Sequence, residues 1–285
     1  MKKVLITGKN SYIGIHVRDE LLKYPDAYVV EELDVKDSSW KNFDFSKFDV
    51  VFHVAGLAHS TPDESQRNHY YRVNTDLAYD VAKTAKLQGV KQFIFMSSII
   101  VYGSGTVGEP RIIDASTELN PDNFYGDSKK QAEIKLNTLR CDHFKIAIVR
   151  PPMVYGKNSK GNYPLLSKFA KKTFIFPTIQ NQRSMLYLGN LVEFIKCAID
   201  YDCDGVYLPQ NNEYVSTVKL VQTISSAVNH KILFVGIFNP FIKFFKNKSV
   251  VNKVFGNLII DRSLSTYDFD YNKYNFEESI RLTEE

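Results

Sequence analysis

Tyr125 and Lys129 stand four residues apart in YGDSK, at the head of a helical pattern that continues through KQAEIKLNTL. That spacing puts both side chains on one helix face, with their β-carbons about 5–6 Å apart. A phenol whose ordinary pKa is about 10 serves as acid or base at neutral pH only if its phenolate is stabilised, and an ammonium one turn away is one way to do it. Taken alone, YxxxK is an ordinary surface turn. Its order in the chain gives it more weight: it follows an apolar run, KQFIFMSS, that closes on Ser97 and Ser98, and both follow a glycine turn, TGKNSYIG, near the N-terminus. Hydroxyls at the carboxyl end of a buried parallel strand face the crevice where open sheets bind ligands.

In the glycine turn, Gly8 permits a tight exit from the strand and Gly14 lets the next helix lie close to the sheet. Between them Ser11, Tyr12 and Ile13 start a helix, whose N–H groups and positive dipole end suit a pyrophosphate. Ser11 occupies the position where a middle glycine would let a ligand come closest, so the match to a dinucleotide turn is one of outline.

The elements that must position these groups follow from the pattern of apolar residues. KVLITG, AYVVEELDV, FDVVFHVAG, KQFIFMSS and FKIAIVRP are short runs rich in β-branched and aromatic residues; SYIGIHVRDELLKY, NTDLAYDVAKTAKLQ and SKKQAEIKLNTL have helical period. Continuous apolar strands alternating with helices imply a parallel sheet covered on both faces. The expected fold is therefore α/β, a Rossmann-type doubly wound parallel sheet over residues 1–150. Some later segments return to it, and residues 151–285 form mainly a small C-terminal substrate-binding region.

At 285 residues and 44% apolar the chain can bury a large core. Its apolar runs are too short to span a membrane, and MKK leads directly into VLITG without a signal core, which favours a cytoplasmic location and no integral membrane segment. Cys141, Cys197 and Cys203 are unclustered, so neither disulfides nor a metal site is expected. A formal charge of +4 with scattered lysines does not imply nucleic acid. Among the histidines, His53, His59 and His69 show no ligand spacing, and His53 is expected to pack at a strand end.

Taken together, TGKNSYIG, FDVVFHVAGLAH, the asparagine of YRVNTDLAYDVAKTAKLQGVKQFIFMSSIIVYG, YGDSKKQAE, IVRPPMVYG and QRSMLYLGNLVEFI resemble, in order and over nearly the whole chain, the extended short-chain dehydrogenases/reductases of the NAD-dependent epimerase/dehydratase family. Those enzymes act on nucleotide sugars, and the combined pattern is most similar to capsular-polysaccharide proteins that reduce or epimerise UDP-linked amino sugars. The resemblance implies NAD or NADP as cofactor, held at Gly8, Ser11, Tyr12, Ile13 and Gly14, at Ala55 and Gly56, at Asn74 bracing that wall, at Ser97 beside the nicotinamide, and at Pro151 and Pro152 by the carboxamide. It makes Tyr125 the acid/base, Lys129 its electrostatic partner and a ribose ligand, and Ser98 the hydroxyl on the reacting sugar oxygen. Asn162, Arg183 and Tyr187 are implied contacts of a UDP-sugar, Arg183 on the diphosphate, and Arg262 falls near a second phosphate position. A homodimer is left open.

Two departures from the family pattern refine this. Dehydratases carry an acidic pair directly after the catalytic hydroxyl; here those positions are Ile99 and Ile100, so elimination of water lacks its proton donor. The region between Gly14 and Asp49 is also short. Asp34 ends the second strand and takes the ribose hydroxyls, or it is the later aspartate that meets adenine; Lys36 counters a 2′-phosphate or is simply solvated. The reading carried forward is reduction at C4 of a UDP-4-keto-6-deoxy-N-acetylhexosamine, with a UDP-sugar 4-epimerase holding NAD tightly as the alternative and a non-catalytic NADP-sensing regulator as the alternative of another class. The basic aromatic stretch NPFIKFFKNK at 239–248 fits either a membrane surface or an amphipathic helix of the sugar-side cap, and the cap is the simpler expectation.

Overall fold

The computed structural model describes residues 1–58, 63–246 and 248–285, with the side chains of Ser249 and Val250 excepted; His59 lies outside the described residues. The chain forms two compact units whose segments interleave. The first comprises residues 1–101, 119–150 and 192–208, the second 102–118, 151–191 and 209–285.

The first unit is built on a six-stranded sheet in the order Gly205–Tyr207, Lys145–Val149, Gln92–Met96, Val50–His53, Lys2–Thr7, Tyr28–Leu33, parallel throughout. This is the Rossmann-type doubly wound sheet expected from the alternating pattern. The inner strands are apolar except at one end, His53 and Gln92, because both faces are covered: Val50–His53 and Gln92–Met96 are buried along their whole lengths. On one face Leu5, Val51, Phe93, Phe95, Ile146 and Ile148 meet the alanines and valine of the helix Leu77–Leu87 and Ala132 and Leu136 of the helix Phe124–Asn137. Strand order reverses beside Lys2–Thr7, which places the carboxyl ends of that strand and of Val50–His53 at the switch point where such sheets bind ligands. Between Tyr28–Leu33 and Val50–His53 the chain makes only two short 3₁₀ turns, Ser38–Asn42 and Phe45–Lys47, so the compression read from the sequence is physical.

The second unit packs the helices Asn162–Lys172, Thr217–Ala227 and Phe276–Glu284 around Tyr155, Leu166, Leu220, Ile224 and Ile280. Its strands pair in twos, each pair parallel: Met153–Tyr155 with Met185–Tyr187, Ile175–Pro177 with Leu233–Val235, and Ile112–Ile113 with Ile259–Ile260. Among the described residues no helix is long and apolar enough to cross a membrane.

Candidate active site

The helix Phe124–Asn137 starts where it does because Asn123 caps it, its side chain accepting from the Gly126 amide at 2.9 Å. Tyr125 is therefore held in the first turn, half-buried, and burial raises its hydroxyl to about 12; a hydrogen bond with Ser98 partly offsets that. The Ser98 hydroxyl also accepts from the Ile100 amide at 3.3 Å, which orients it at the strand end.

One turn on, Lys129 is buried. Burial lowers its ammonium to about 8 against the opposing pull of Glu133. It donates to the Met96 carbonyl at 2.7 Å and sits 4.6 Å from the centre of the Phe95 ring. The ammonium is thus drawn to the end of the Met96 strand, and the group hydrogen-bonded to the phenol is Ser98. Met96 is the only acceptor the ammonium has among the described residues, so it keeps donors for an incoming ligand.

Asn74 lies in a π-helical stretch, Tyr71–Asp76, a widened turn that aims its buried side chain at the neighbouring loop. It accepts from the Leu57 amide at 2.7 Å and donates to the Leu57 carbonyl at 3.1 Å and to the Ser128 hydroxyl at 3.0 Å, which fixes the loop carrying Ala55 and Gly56. A β-carbon on Gly56 would lie 3.1 Å from the Asn74 amide oxygen and 3.2 Å from the Lys129 nitrogen, so glycine keeps this wall open to the lysine. Gly8 has φ of 117° and would bring a β-carbon to 2.7 Å from the Ala55 nitrogen, which locks the two loops together. Ser11 caps its helix, accepting from the Gly14 amide at 3.2 Å, so the hydroxyl at the middle-glycine position is engaged with the helix itself.

Ser97 is buried, and its hydroxyl donates to Glu133. Glu133 also accepts from Arg150, through Nε to both carboxylate oxygens at 3.1 Å and through Nη2 at 2.5 Å. This buried ion pair escaped the sequence reading, although Glu133 lies four residues beyond Lys129 on the same helix. Asp34 follows the strand Tyr28–Leu33 directly, its carboxylate accepting from the Lys36 amide at 3.0 Å, with the Lys36 ammonium 3.9 Å away and largely exposed. His53 packs at its strand end as expected: it pairs with the Thr7 hydroxyl at 2.8 Å, stacks near Phe93 and Phe95, and burial holds it neutral, lowered to about 3.

The remaining candidates belong to the second unit. The Arg183 backbone bridges to Val215, while its guanidinium donates to the carbonyls of Lys253 and Val254, the latter at 3.2 Å. Burial lowers it to about 10, and no carboxylate among the described residues pairs with it. A half-buried cation whose side-chain hydrogen bonds among the described residues go to carbonyls suits an anionic ligand. Tyr187 sits in the strand paired with Met153–Tyr155, its ring 5.7 Å from Tyr155 and 5.3 Å from Tyr274. Asn162 opens its helix behind Gly161. Arg262 is exposed and lies over the Tyr214 ring at 5.0 Å. Pro151 and Pro152 are buried in this unit.

The turn at Gly8, the capped helix start, the open wall at Gly56 and the unspent donors of Lys129 fit a nicotinamide dinucleotide. The description "NAD dependent epimerase/dehydratase family" matches residues 4–207. The chain belongs to that family. It is 30% identical over 292 residues to a UDP-glucose 4-epimerase of Vibrio cholerae, covering 92% of this chain and 88% of the relative. It is 29% identical over 251 residues to an N-acetyl-alpha-D-glucosaminyl-diphospho-ditrans,octacis-undecaprenol 4-epimerase of Escherichia coli O157:H7, covering 80% and 73%. In fold it matches a dTDP-4-dehydrorhamnose reductase from Bacillus anthracis, solved in complex with NADP, with a TM-score of 0.73, 22% identity and coverage of 99% and 98%. Family membership makes the protein an NAD(P)-dependent nucleotide-sugar enzyme.

Proposed function

We propose that the protein reduces C4 of a UDP-4-keto-6-deoxy-N-acetylhexosamine. The observation that carries the oxidoreductase chemistry is the Tyr125 hydroxyl paired with Ser98 at the ligand end of the sheet, held near 12 by burial. A phenol with that pKa is protonated at neutral pH, the state a reduction consumes. When bound, the reduced nicotinamide supplies the hydride to C4. Ser98 holds the sugar oxygen, Tyr125 gives it the proton as the carbonyl becomes an alcohol, and the tyrosine regains its proton from solvent. Lys129 holds the ribose with the donors that Met96 leaves over. Arg183 takes the diphosphate, with Asn162 and Tyr187 on the nucleotide sugar and Arg262 as a further phosphate contact. The two positions after Ser98 carry hydrocarbon, Ile99 buried among it, which argues against dehydration.

Reduction is favoured over epimerisation by the slight cofactor edge: Ser11 spent on its own helix, two 3₁₀ turns where a longer segment would reach over the adenosine, and Ala58 rather than a cation in HVAGLAH. A reductase must exchange its cofactor every cycle. The 4-epimerase reading is favoured instead by the Vibrio cholerae and Escherichia coli relatives. The test is to denature the purified protein and measure released nucleotide, then mix the native protein with reduced cofactor and the 4-keto sugar. Little retained nucleotide and stoichiometric cofactor oxidation are expected. About one NAD per chain, with interconversion of C4-epimeric UDP-sugars without added cofactor, would make it an epimerase.

A further inference from the structure

The second unit carries a surface that the site chemistry does not use. In its small sheet Ile175 pairs with Leu233 and Phe176 with Phe234. Strand alternation sends one pair to each face. Phe176 is buried and meets Phe234 ring to ring at 6.2 Å, whereas Ile175 and Leu233 stand on the outward face, 48% and 63% exposed. Phe174, immediately before the strand, is also exposed, and the sheet is tied to it by the Leu233 amide bonding its carbonyl at 2.8 Å. The chain then runs through exposed Ile237 into the helix Asn239–Phe244, whose first residue is bonded to Thr178 just past the Ile175–Pro177 strand, side chain to amide at 3.2 Å. That helix presents Phe241 and Phe244, 66% and 81% exposed. Isolated exposed apolar residues are ordinary, but a contiguous run of aromatic and aliphatic side chains on joined elements is not.

The charges around this face are mostly positive, Lys246 being the lysine beside the helix that meets an acid, Glu109 at 3.3 Å. From residue 214 to residue 260 the chain holds six lysines and neither aspartate nor glutamate. The second unit as a whole carries 16 of the 36 lysines and arginines but only 11 of the 32 acids, so the protein's positive excess lies there. Beside the helix, a cavity of about 540 Å³ is lined by Arg111, Lys243, Thr178, Asn181 and Asn239 among others, and neither Arg111 nor Lys243 forms an ion pair among the described residues. Exposed phenylalanines flanked by lysines, with a cationic recess alongside, match an anionic interface with an apolar interior beneath it.

We propose that this face docks the protein on an anionic lipid bilayer, Phe241 and Phe244 entering the acyl boundary while Lys243 and Lys248 meet the headgroup phosphates. The inference does not depend on the reading of the active site, and its readout is binding rather than turnover. The full chain is sedimented with vesicles of phosphatidylcholine containing about a third phosphatidylglycerol, and with phosphatidylcholine alone. Binding to the anionic vesicles, weakening with added salt, is expected. Phe241→Ser with Phe244→Ser, and separately Lys243→Glu with Lys248→Glu, should each lower the partition at least tenfold with turnover of soluble substrate unchanged, which also reports that both variants fold. No sedimentation with anionic vesicles, or sedimentation untouched by either pair, would overturn the proposal. So would a dimer-to-monomer change in the phenylalanine variant without vesicle binding, which would make the face a contact between copies of the chain.

Discussion

Replacing Lys129 by methionine should make the cofactor-free protein more stable at neutral pH while abolishing turnover. Burial lowers the ammonium from 10.5 to about 8. At about 1.4 kcal/mol per pKa unit, keeping it charged in the fold costs about 3.5 kcal/mol at pH 7. Methionine fills similar volume without charge but forfeits the bond to the Met96 carbonyl, a charged hydrogen bond of about 1.5–3 kcal/mol. The net gain is about 0.5–2 kcal/mol. The pH dependence is the cleaner signature. Between 8 and 10.5 the unfolded chain holds the lysine proton and the folded chain has released it, so wild-type stability rises with pH across that window relative to the variant. The variant's advantage should shrink by about 2 kcal/mol from pH 7 to pH 9.5. Urea denaturation of both proteins at the two pH values, without nucleotide, measures it. A difference that stays constant across the range would show that the lysine is not desolvated as its surroundings imply.

Tyr125→Phe should keep cofactor and UDP binding and lose turnover by at least ~10²-fold, as for a general acid; near-normal turnover would remove the phenol from the mechanism. Arg183→Ala should weaken UDP, measured by calorimetry, by about 1.5–3 kcal/mol; unchanged affinity would move the diphosphate elsewhere, with Arg262 next to test. Glu133→Gln leaves Arg150 without the carboxylate it pairs with at 2.5 Å and should cost about 3–5 kcal/mol in denaturant. Combining Glu133→Met with Arg150→Met should be much milder, and equal losses would mean the ion pair is not the source.

The parallel sheet was legible because strands buried on both faces are nearly continuous apolar runs, as Val50–His53 and Gln92–Met96 are apart from the terminal His53 and Gln92. The site residues on the chain's own turns, Gly8 and Tyr125 among them, were legible because glycine turns and an i, i+4 pair are local. What escaped was non-local. Glu133 and Arg150 are 17 residues apart on different elements, and nothing in either neighbourhood marks them as partners. The turn of Ser97 toward that pair follows from it, since a hydroxyl beside a buried carboxylate donates to it. Arg183 finds its carbonyls about 70 residues away. The strand Gly205–Tyr207 is too short to have a period, and its place is set by Arg150, whose amide bonds the Tyr207 carbonyl at 2.8 Å.

That late strand matters during synthesis. When Lys145–Val149 leaves the ribosome, its outer edge has no partner until Gly205–Tyr207 emerges, 55 residues further on. The Gln92 side-chain amide waits about twice as long, 106 and 111 residues, for the carbonyls of Ala198 and Cys203. At roughly 5–20 residues per second, a hydrophobic strand edge stands open for about three to eleven seconds in every nascent chain. Such an edge is a template for pairing with a neighbouring chain. The interleaved path therefore gives crowded polysomes a window for aggregation that a sheet completed in sequence order would close sooner, and a chain released early at Arg150 would keep that edge for good.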